Sequence, residues 1–584
     1  MMSEWDARGL HGPKARALVY AAYPPDIDRR TLLQEPPETQ SRRWATRLAV
    51  ALALPLLAAV AAGCHSVSPM QQRAAGYPAA EARFGPALAT SISAIAESRG
   101  HPNRRARNEA RHRQLLAGHL DQLLEEATPL RPTAGVKTGD GLLDPDRFNR
   151  ITAVKRVRAN PSSLERAGIG LPVVVNYRPA RDPNAPRAGY HLAATLVVRP
   201  VPAPSAEKPS TTSDDPRPTP ERRVARETAQ QRAACCEAAL VDPDAVDQVP
   251  TAAGPLPVAM DLAAPIAATR ATGVGPLDGI ANLVRPGRFM DEPRIVFLEP
   301  FDADKMPVVF VHGLLSTPGV WKPLVTQLLA DPRIRGCCQF WFFYYPTGQP
   351  VPLSALQLRG ALDEAVRNTG LTRKMMLIGH SMGGILSRAQ VSRLTPERAE
   401  RLLPGVSSLS DYSRVRRSLI FEPRTDVSRV VFLFVPHRGS RFAANGFGAT
   451  AVRLIRLPDT LINEGSYALD RLAGLESRRL PTSIHGLSPR SPFLRALNAT
   501  TPTVPVHSII GNRGRGDGSR GSDGVVPVRS ARVESAESEL VVPTGHGGFT
   551  HPDAVAEIGR IILLEAEKQQ TISHASAGKD TKQD

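Results

Sequence analysis

Between residues 308 and 567 the chain alternates short, largely apolar runs with stretches of helical periodicity, and no other feature limits its possible folds so strongly. The runs at 308–311, 339–345, 375–378, 430–435, 506–510 and 540–542 have the character of strands buried on both faces of a parallel sheet. Helical stretches fall between them at 321–330, 354–367 and 384–393, and a last one covers 553–567. Regular alternation of strand and helix predicts an α/β architecture over residues 294–567, a doubly wound and mostly parallel sheet with helices on both faces. From 438 to 491 the alternation is broken by an insertion with helical apolar spacing (Val452, Leu454, Ile455, Leu461 and Ile462), which has the pattern of a lid.

The chemistry is concentrated where the run at 375–378 ends. It leads straight into Gly379-His380-Ser381-Met382-Gly383-Gly384, and a helical stretch leads out again. This is G-x-S-x-G in the setting that the pattern needs, since Gly379 and Gly383 permit the cramped strand-to-helix turn that exposes a serine oxygen. A serine hydroxyl is a poor nucleophile until a base takes its proton, and the oxyanion formed by its attack must meet preorganised N–H groups. The loop Val311-His312-Gly313-Leu314-Leu315-Ser316 follows the first run of the domain, where one oxyanion donor belongs. The N–H groups of Leu314 and Met382 are therefore the predicted donors. His312 has the right side chain for a base, but its loop position gives it, with Gly313, a role in shaping the turn.

An orienting acid should follow a late strand and the base should come last, in the order Ser, Asp, His. Asp523, in Ser522-Asp523-Gly524-Val525-Val526-Pro527, meets the first demand beyond the run at 506–510, whereas its rival Asp517 sits within a glycine-arginine loop. His546 is the first histidine after the run at 540–542 and the turn Pro543-Thr544-Gly545. The next, His551, stands at the start of the last helix, where it serves as a capping or surface residue. The predicted catalytic set is Ser381, Asp523 and His546.

Residues from about 297 to 564 resemble bacterial α/β-hydrolases of the lipase and esterase type, including the group similar to GPI inositol-deacylases. The resemblance rests on Pro307-Val308-Val309-Phe310-Val311-His312-Gly313-Leu314, Gly379-His380-Ser381-Met382-Gly383-Gly384, Pro436-His437-Arg438-Gly439-Ser440, Asp523-Gly524-Val525-Val526-Pro527 and Gly545-His546. It implies a Ser-His-Asp triad that attacks an acyl ester through an acyl-enzyme, with no organic cofactor. His437 is implied to shape the pocket wall. Some lipases of this fold hold a structural calcium ion, but no carboxylate cluster in this sequence demands a metal.

The rest of the chain reads less sharply. Arg42-Arg43-Trp44-Ala45-Thr46-Arg47, an apolar run at 48–62 and Ala61-Ala62-Gly63-Cys64 together form an export signal over 42–64. Its end resembles the lipobox of bacterial lipoproteins, which would make Cys64 the lipidated residue and tether an exported protein to the membrane. The run is short for a membrane span. Residues 1–41 are a polar extension, which an overcalled start site would explain. Residues 65–293 form an accessory region, helical from 81 to 166, with strands at 171–177 and 191–198 and a Pro/Ser/Thr linker at 201–225. Residues 568–584 read as a disordered tail. Cys235-Cys236 and Cys337-Cys338 either cross-pair in an oxidising compartment or stand as buried thiols. The formal charge of +17 is spread along the chain without interleaved aromatics, which speaks against a nucleic-acid partner and for a solvated basic surface.

These features predict a serine hydrolase acting on acyl-ester or lipid substrates. The alternatives are an acyltransferase or amidase on the same scaffold, because an acyl-enzyme can be released to an alcohol or amine, or a non-catalytic envelope lipoprotein.

Overall fold

The computed structural model describes residues 78–120, 137–138, 141–142, 148–154, 164–200, 236–269, 293–440, 483–514 and 521–580. The segments 1–41 and 42–64 with Cys64, the linker at 201–225, Cys235, Asp517 and most of the insertion at 438–491 lie outside the described residues. Residues from Ala80 onward form one compact unit.

The accessory region begins with two helices, α1 (Pro78–Glu97) and α2 (Pro102–Gly118). Four antiparallel strands follow, in the order β1 (Phe148–Ala153), β2 (Leu171–Tyr177), β3 (Tyr190–Pro200) and β4 (Cys236–Val241). Leu88, Ile92 and Ile95 recur at helical spacing along α1 and pack with Leu116 against Leu171, Val173 and Val175 of β2. Helix over the whole of 81–166 was too broad an expectation, because Phe148–Ala153 is a strand paired antiparallel with β2. The leucines that carry the helical signal lie near 115–124, and the ladder to β2 decides the conformation of the later residues.

The region from 294 onward is built on a seven-stranded sheet ordered β5-β7-β6-β8-β9-β10-β11, with β5 (Arg294–Phe297), β6 (Met306–Val311), β7 (Cys338–Tyr344), β8 (Met375–His380), β9 (Val427–Leu433), β10 (Val506–Gly511) and β11 (Ser538–Val542). The strands from β7 to β11 pair in parallel, and β5 alone runs antiparallel at one edge. Four helices frame the site: α3 (Lys322–Leu328), α4 (Val351–Thr369), α5 (Met382–Gln390) and α6 (Pro552–Asp580). In β6 the alternation explains the uninterrupted apolar run. Val309 and Val311 pack with Leu358, Leu362 and Ile385, whereas Val308 and Phe310 pack with Trp321, Ile558 and Ile562.

The accessory region is docked on the antiparallel edge. Asn184 accepts from Phe297 N and donates through Nδ2 to Ile295 O, both at 3.0 Å, so it occupies backbone groups that a bare edge strand would leave open. Tyr177 and Tyr190 enter the same core as Phe297 and Trp341.

One further expectation is corrected, and one open alternative is decided. The C-terminal segment read as a disordered tail from 568 is helical to Asp580, and Gln569 Nε2 donates to Lys374 O at 3.0 Å and Ser428 Oγ at 3.1 Å beneath the sheet. Of the two readings left open for Cys337 and Cys338 the structure has the thiol one: both are free, Cys338 buried and Cys337 half-buried, with their sulfurs 3.1 Å apart. Among the described residues no helix is long and apolar enough to cross a membrane, and no cluster of three or more His, Cys, Asp or Glu side chains could hold a metal ion.

Candidate active site

The candidate residues sit on loops at the C-terminal ends of parallel strands, the rim where open α/β sheets bind ligands. Ser381 lies between β8 and α5 with φ 54° and ψ −124°, a backbone conformation that side chains rarely adopt and that lifts it out of the strand. The turn is tight because its glycines touch backbone. A Cβ on Gly383 would lie 2.1 Å from Val311 O, and one on Gly379 would lie 2.5 Å from Gly384 Cα. Gly383→Ala should therefore cost about 3 kcal/mol or more of stability. Gly360→Ala, on α4 with nothing within 4 Å of the new Cβ, should be neutral or gain about 0.5–1 kcal/mol. Urea midpoints for the two variants check this pair, and an equal shift in both would refute the steric account.

The structure brings Ser381, His546 and Asp523 together. His546 Nε2 lies 2.9 Å from Ser381 Oγ, and His546 Nδ1 lies 2.7 Å from Asp523 Oδ2. With Nδ1–H donated to the carboxylate, Nε2 keeps a lone pair for the serine hydroxyl proton. The other carboxylate oxygen, Oδ1, accepts from the N–H groups of Val525 at 2.8 Å and Val526 at 2.6 Å, so the acid is held on both sides in a buried position. The acid and base loops are joined directly, because His546 N donates to Asp523 O at 3.1 Å. His551 caps α6 instead, its Nδ1 accepting from Asp553 N at 3.3 Å.

Met382 is the first residue of α5, where a backbone N–H has no acceptor within the helix. Leu314 lies in the turn after β6. The neighbouring Gly313 runs hard against the nucleophile, since a Cβ there would lie 2.9 Å from Ser381 Cβ. His312 is buried beside this turn, its Nδ1 3.1 Å from Gly313 O and its ring stacked on Tyr345 at 4.5 Å. Burial pushes its pKa down to about 4, so it is neutral. His437 is buried against Phe432, and its Nδ1 accepts from Arg388 Nη1 at 3.2 Å. Burial, and then the charges of Arg388 and Arg438, hold its pKa well below the usual value. Neither histidine hydrogen-bonds Ser381, which leaves His546 as the imidazole in reach of the hydroxyl.

Reading the sequence missed His380, the x of G-x-S-x-G. Its Nε2–H donates to His546 O at 2.8 Å, and its ring packs edge-on against Phe549 at 5.1 Å between centroids. It thereby ties the nucleophile turn to the loop that carries His546. The one signal was its place beside Ser381, because the bond joins positions 166 residues apart.

Residues 308–558 match the model of the Alpha/beta hydrolase family. Together with the strand order and the turn at Ser381, this defines the region as an alpha/beta hydrolase domain. Among solved structures the chain is similar to a Bacillus licheniformis lipase in its mature form, at 18% identity over 47% of this chain and 99% of that one, with a TM-score of 0.31. It is also similar to a lipase-esterase related protein from Clostridium acetobutylicum (15% identity, 46% of this chain, 98% of that one, TM-score 0.27) and to a metagenomic carboxyl esterase (14%, 47%, 77% and 0.24). No curated protein matches the chain.

Proposed function

We propose that the chain is a serine hydrolase that cleaves carboxylic esters, of the lipase and esterase type with kinship to the GPI inositol-deacylase-like group. The observation that carries this reading is the line Ser381 Oγ, His546 Nε2, His546 Nδ1 and Asp523 Oδ2, with gaps of 2.9 Å and 2.7 Å. In this reading His546 takes the Ser381 proton as Oγ attacks the ester carbonyl. The N–H groups of Leu314 and Met382 meet the resulting oxyanion. The imidazolium, oriented by Asp523, then protonates the departing alkoxide, leaving an acyl-Ser381 ester. A water deprotonated by His546 releases the acid and restores the serine. The Ser381 turn conformation favours the same reading, since a strained nucleophile position without catalysis would have no compensating use.

The direct test is labelling of the protein, beginning at His65, with a fluorophosphonate probe. Labelling that disappears in Ser381→Ala identifies the nucleophile, and a folded wild type that resists the probe refutes the assignment. The export signal ending at Cys64 supports a further part of the proposal, a lipid-anchored protein of the bacterial envelope. Membrane retention lost in Cys64→Ala supports the anchor, and retention unchanged overturns it.

A further inference from the structure

The short helix Pro332–Cys337 ends on one cysteine and β7 begins on the next. Their sulfurs lie 3.1 Å apart, so the two side chains turn toward each other across a single peptide unit. Their surroundings differ. Cys338 is buried among Met306, Leu328 and Ile334 and pairs with Met306 in the sheet, whereas Cys337 is half-buried and keeps part of its surface in solvent. Cys337 Sγ also lies 3.8 Å from Ile334 O, which accepts its proton, so the proton between the sulfurs comes from Cys338. That hydrogen bond holds the Cys337 pKa below the ordinary thiol value, against the opposing effect of burial. The same bond, together with burial, pushes the Cys338 thiol up.

Thiol–disulfide exchange needs this division between two sulfurs. The attacking one must be accessible and carry thiolate, and the resolving one must lie within reach of it. The resolving sulfur attacks from inside the protein and needs no access of its own. A disulfide between neighbours encloses no intervening chain, so it removes almost no entropy from the unfolded state and is no structural staple. Neighbouring Cα atoms are also about 3.8 Å apart, below the usual span of a disulfide, roughly 4.4–6.8 Å, so the closed ring reopens readily with a thiol. The pair stands apart from Ser381. It lies at the start of β7, and the rim that carries Ser381 lies beyond the other end of that strand, seven residues long, roughly 20 Å away.

We propose that Cys337 and Cys338 form a reversible redox site that exchanges with low-molecular-weight disulfides and closes to a bond between the two neighbouring sulfurs. The Cys337 thiolate attacks one sulfur of the disulfide and forms a mixed disulfide with it. The first thiol leaves as thiolate and takes up the proton that Cys337 released. Cys338 then attacks Cys337 Sγ, the second thiol departs with the Cys338 proton, and the Cys337–Cys338 bond remains. One disulfide is thus reduced to two thiols while two cysteines are oxidised, and a dithiol drives the sequence backwards. The site is independent of ester cleavage at Ser381. Trypsin cuts after Arg335 and Arg359, and the peptide between them carries Cys337 and Cys338 and no other cysteine. The folded full chain, treated with glutathione disulfide, quenched in acid and then alkylated unfolded, should yield this peptide lighter by two hydrogen atoms, with neither alkyl group nor glutathione attached. Dithiothreitol should restore both alkylatable thiols. In Cys338→Ala the reaction should stop at a glutathione mixed disulfide on Cys337. In Cys337→Ala the remaining thiol is buried, and it should react more slowly than the wild type by a factor of about ten or more. A wild-type peptide that keeps two alkylatable thiols, or that carries glutathione without closing, overturns the proposal, and the wild type decides this even where a variant fails to fold. A folded Cys337→Ala chain that reacts as fast as the wild type overturns it equally, because Cys337 is then not the attacking sulfur.

Discussion

Replacing Ser381 or His546 with Ala should lower kcat for a p-nitrophenyl ester by a factor on the order of 10⁶, and Asp523→Asn by about 10⁴, while the protein remains folded. The large size follows from the way the groups act in series. Without His546 the hydroxyl keeps its proton, and without Ser381 there is no oxygen to acylate. With Asn at 523, the N–H groups of Val525 and Val526 hold the carboxamide oxygen, so the NH2 group faces His546 Nδ1 and donates to it, which moves the imidazole proton to Nε2, the wrong tautomer. The backbone N–H groups of Val525 and Val526 donate to Oδ1 at 2.8 Å and 2.6 Å, so the loop would persist and the loss should fall on kcat rather than on folding. Because the groups form one unit, Ser381→Ala combined with His546→Ala should be no slower than the slower single variant. Under the proposed mechanism the residual rate would come from the Leu314 and Met382 donors and from substrate binding. Single-turnover rates with thermal melts for the same variants decide the matter. A Ser381→Ala protein that keeps more than about a hundredth of the wild-type rate would remove Ser381 from the mechanism.

What the sequence makes legible here is mostly what neighbouring residues decide. The turn at Ser381 is written in contiguous residues, because Gly379, Gly383 and Gly384 meet one another, Val311 O and the Val435 side chain. The parallel strands are legible because both faces of each are covered, as the split of β6 between two cores shows. Asp523 and His546 were found through chain order, and their loops do meet in space. Relations that span the fold left little trace. The bond from His380 to His546 O gives no periodic signal, and neither does Arg388, which looks like a solvent-facing helix residue in the sequence. In the fold it is buried, donating to His437 Nδ1 and to Thr500 O at 3.0 Å. β5 is only four residues long, too short to register as a run, and it is fixed by pairing with β7 and by Asn184 from the accessory region. The end of α6 lacks an apolar stripe, so its helicity rests on the turns before it and on the anchor at Gln569.

The second large effect concerns acid. His312, His380 and His507 are buried with pKa values pushed down to about 4, about 3 and about 4, chiefly by burial. Each has one ring nitrogen committed in its neutral form and nowhere to put a second proton. His380 donates from Nε2 to His546 O, and its Nδ1 has no acceptor. His312 uses Nδ1 toward Gly313 O, and its Nε2 is equally isolated. His507 Nε2 accepts from the Arg429 guanidinium at 2.6 Å, where a proton would oppose a positive charge. In the unfolded chain the same imidazoles titrate near 6.5, so below that pH the unfolded state binds more protons and stability must fall as pH falls. Their stabilising contribution is complete above pH 6.5 and is lost on the way down to the folded values. At pH 4.5 the three together should have removed about 8 kcal/mol, with a slope approaching 4 kcal/mol per pH unit. That is comparable with the whole stability of an ordinary domain, about 5–15 kcal/mol, so the catalytic domain should unfold between about pH 4.5 and 5.5. Urea titrations at pH 7.5, 6.0 and 5.0 measure the slope. A midpoint that stays constant over that range would mean that these histidines accept protons in the folded state, and the packing around Ser381 would then be looser than the structure shows.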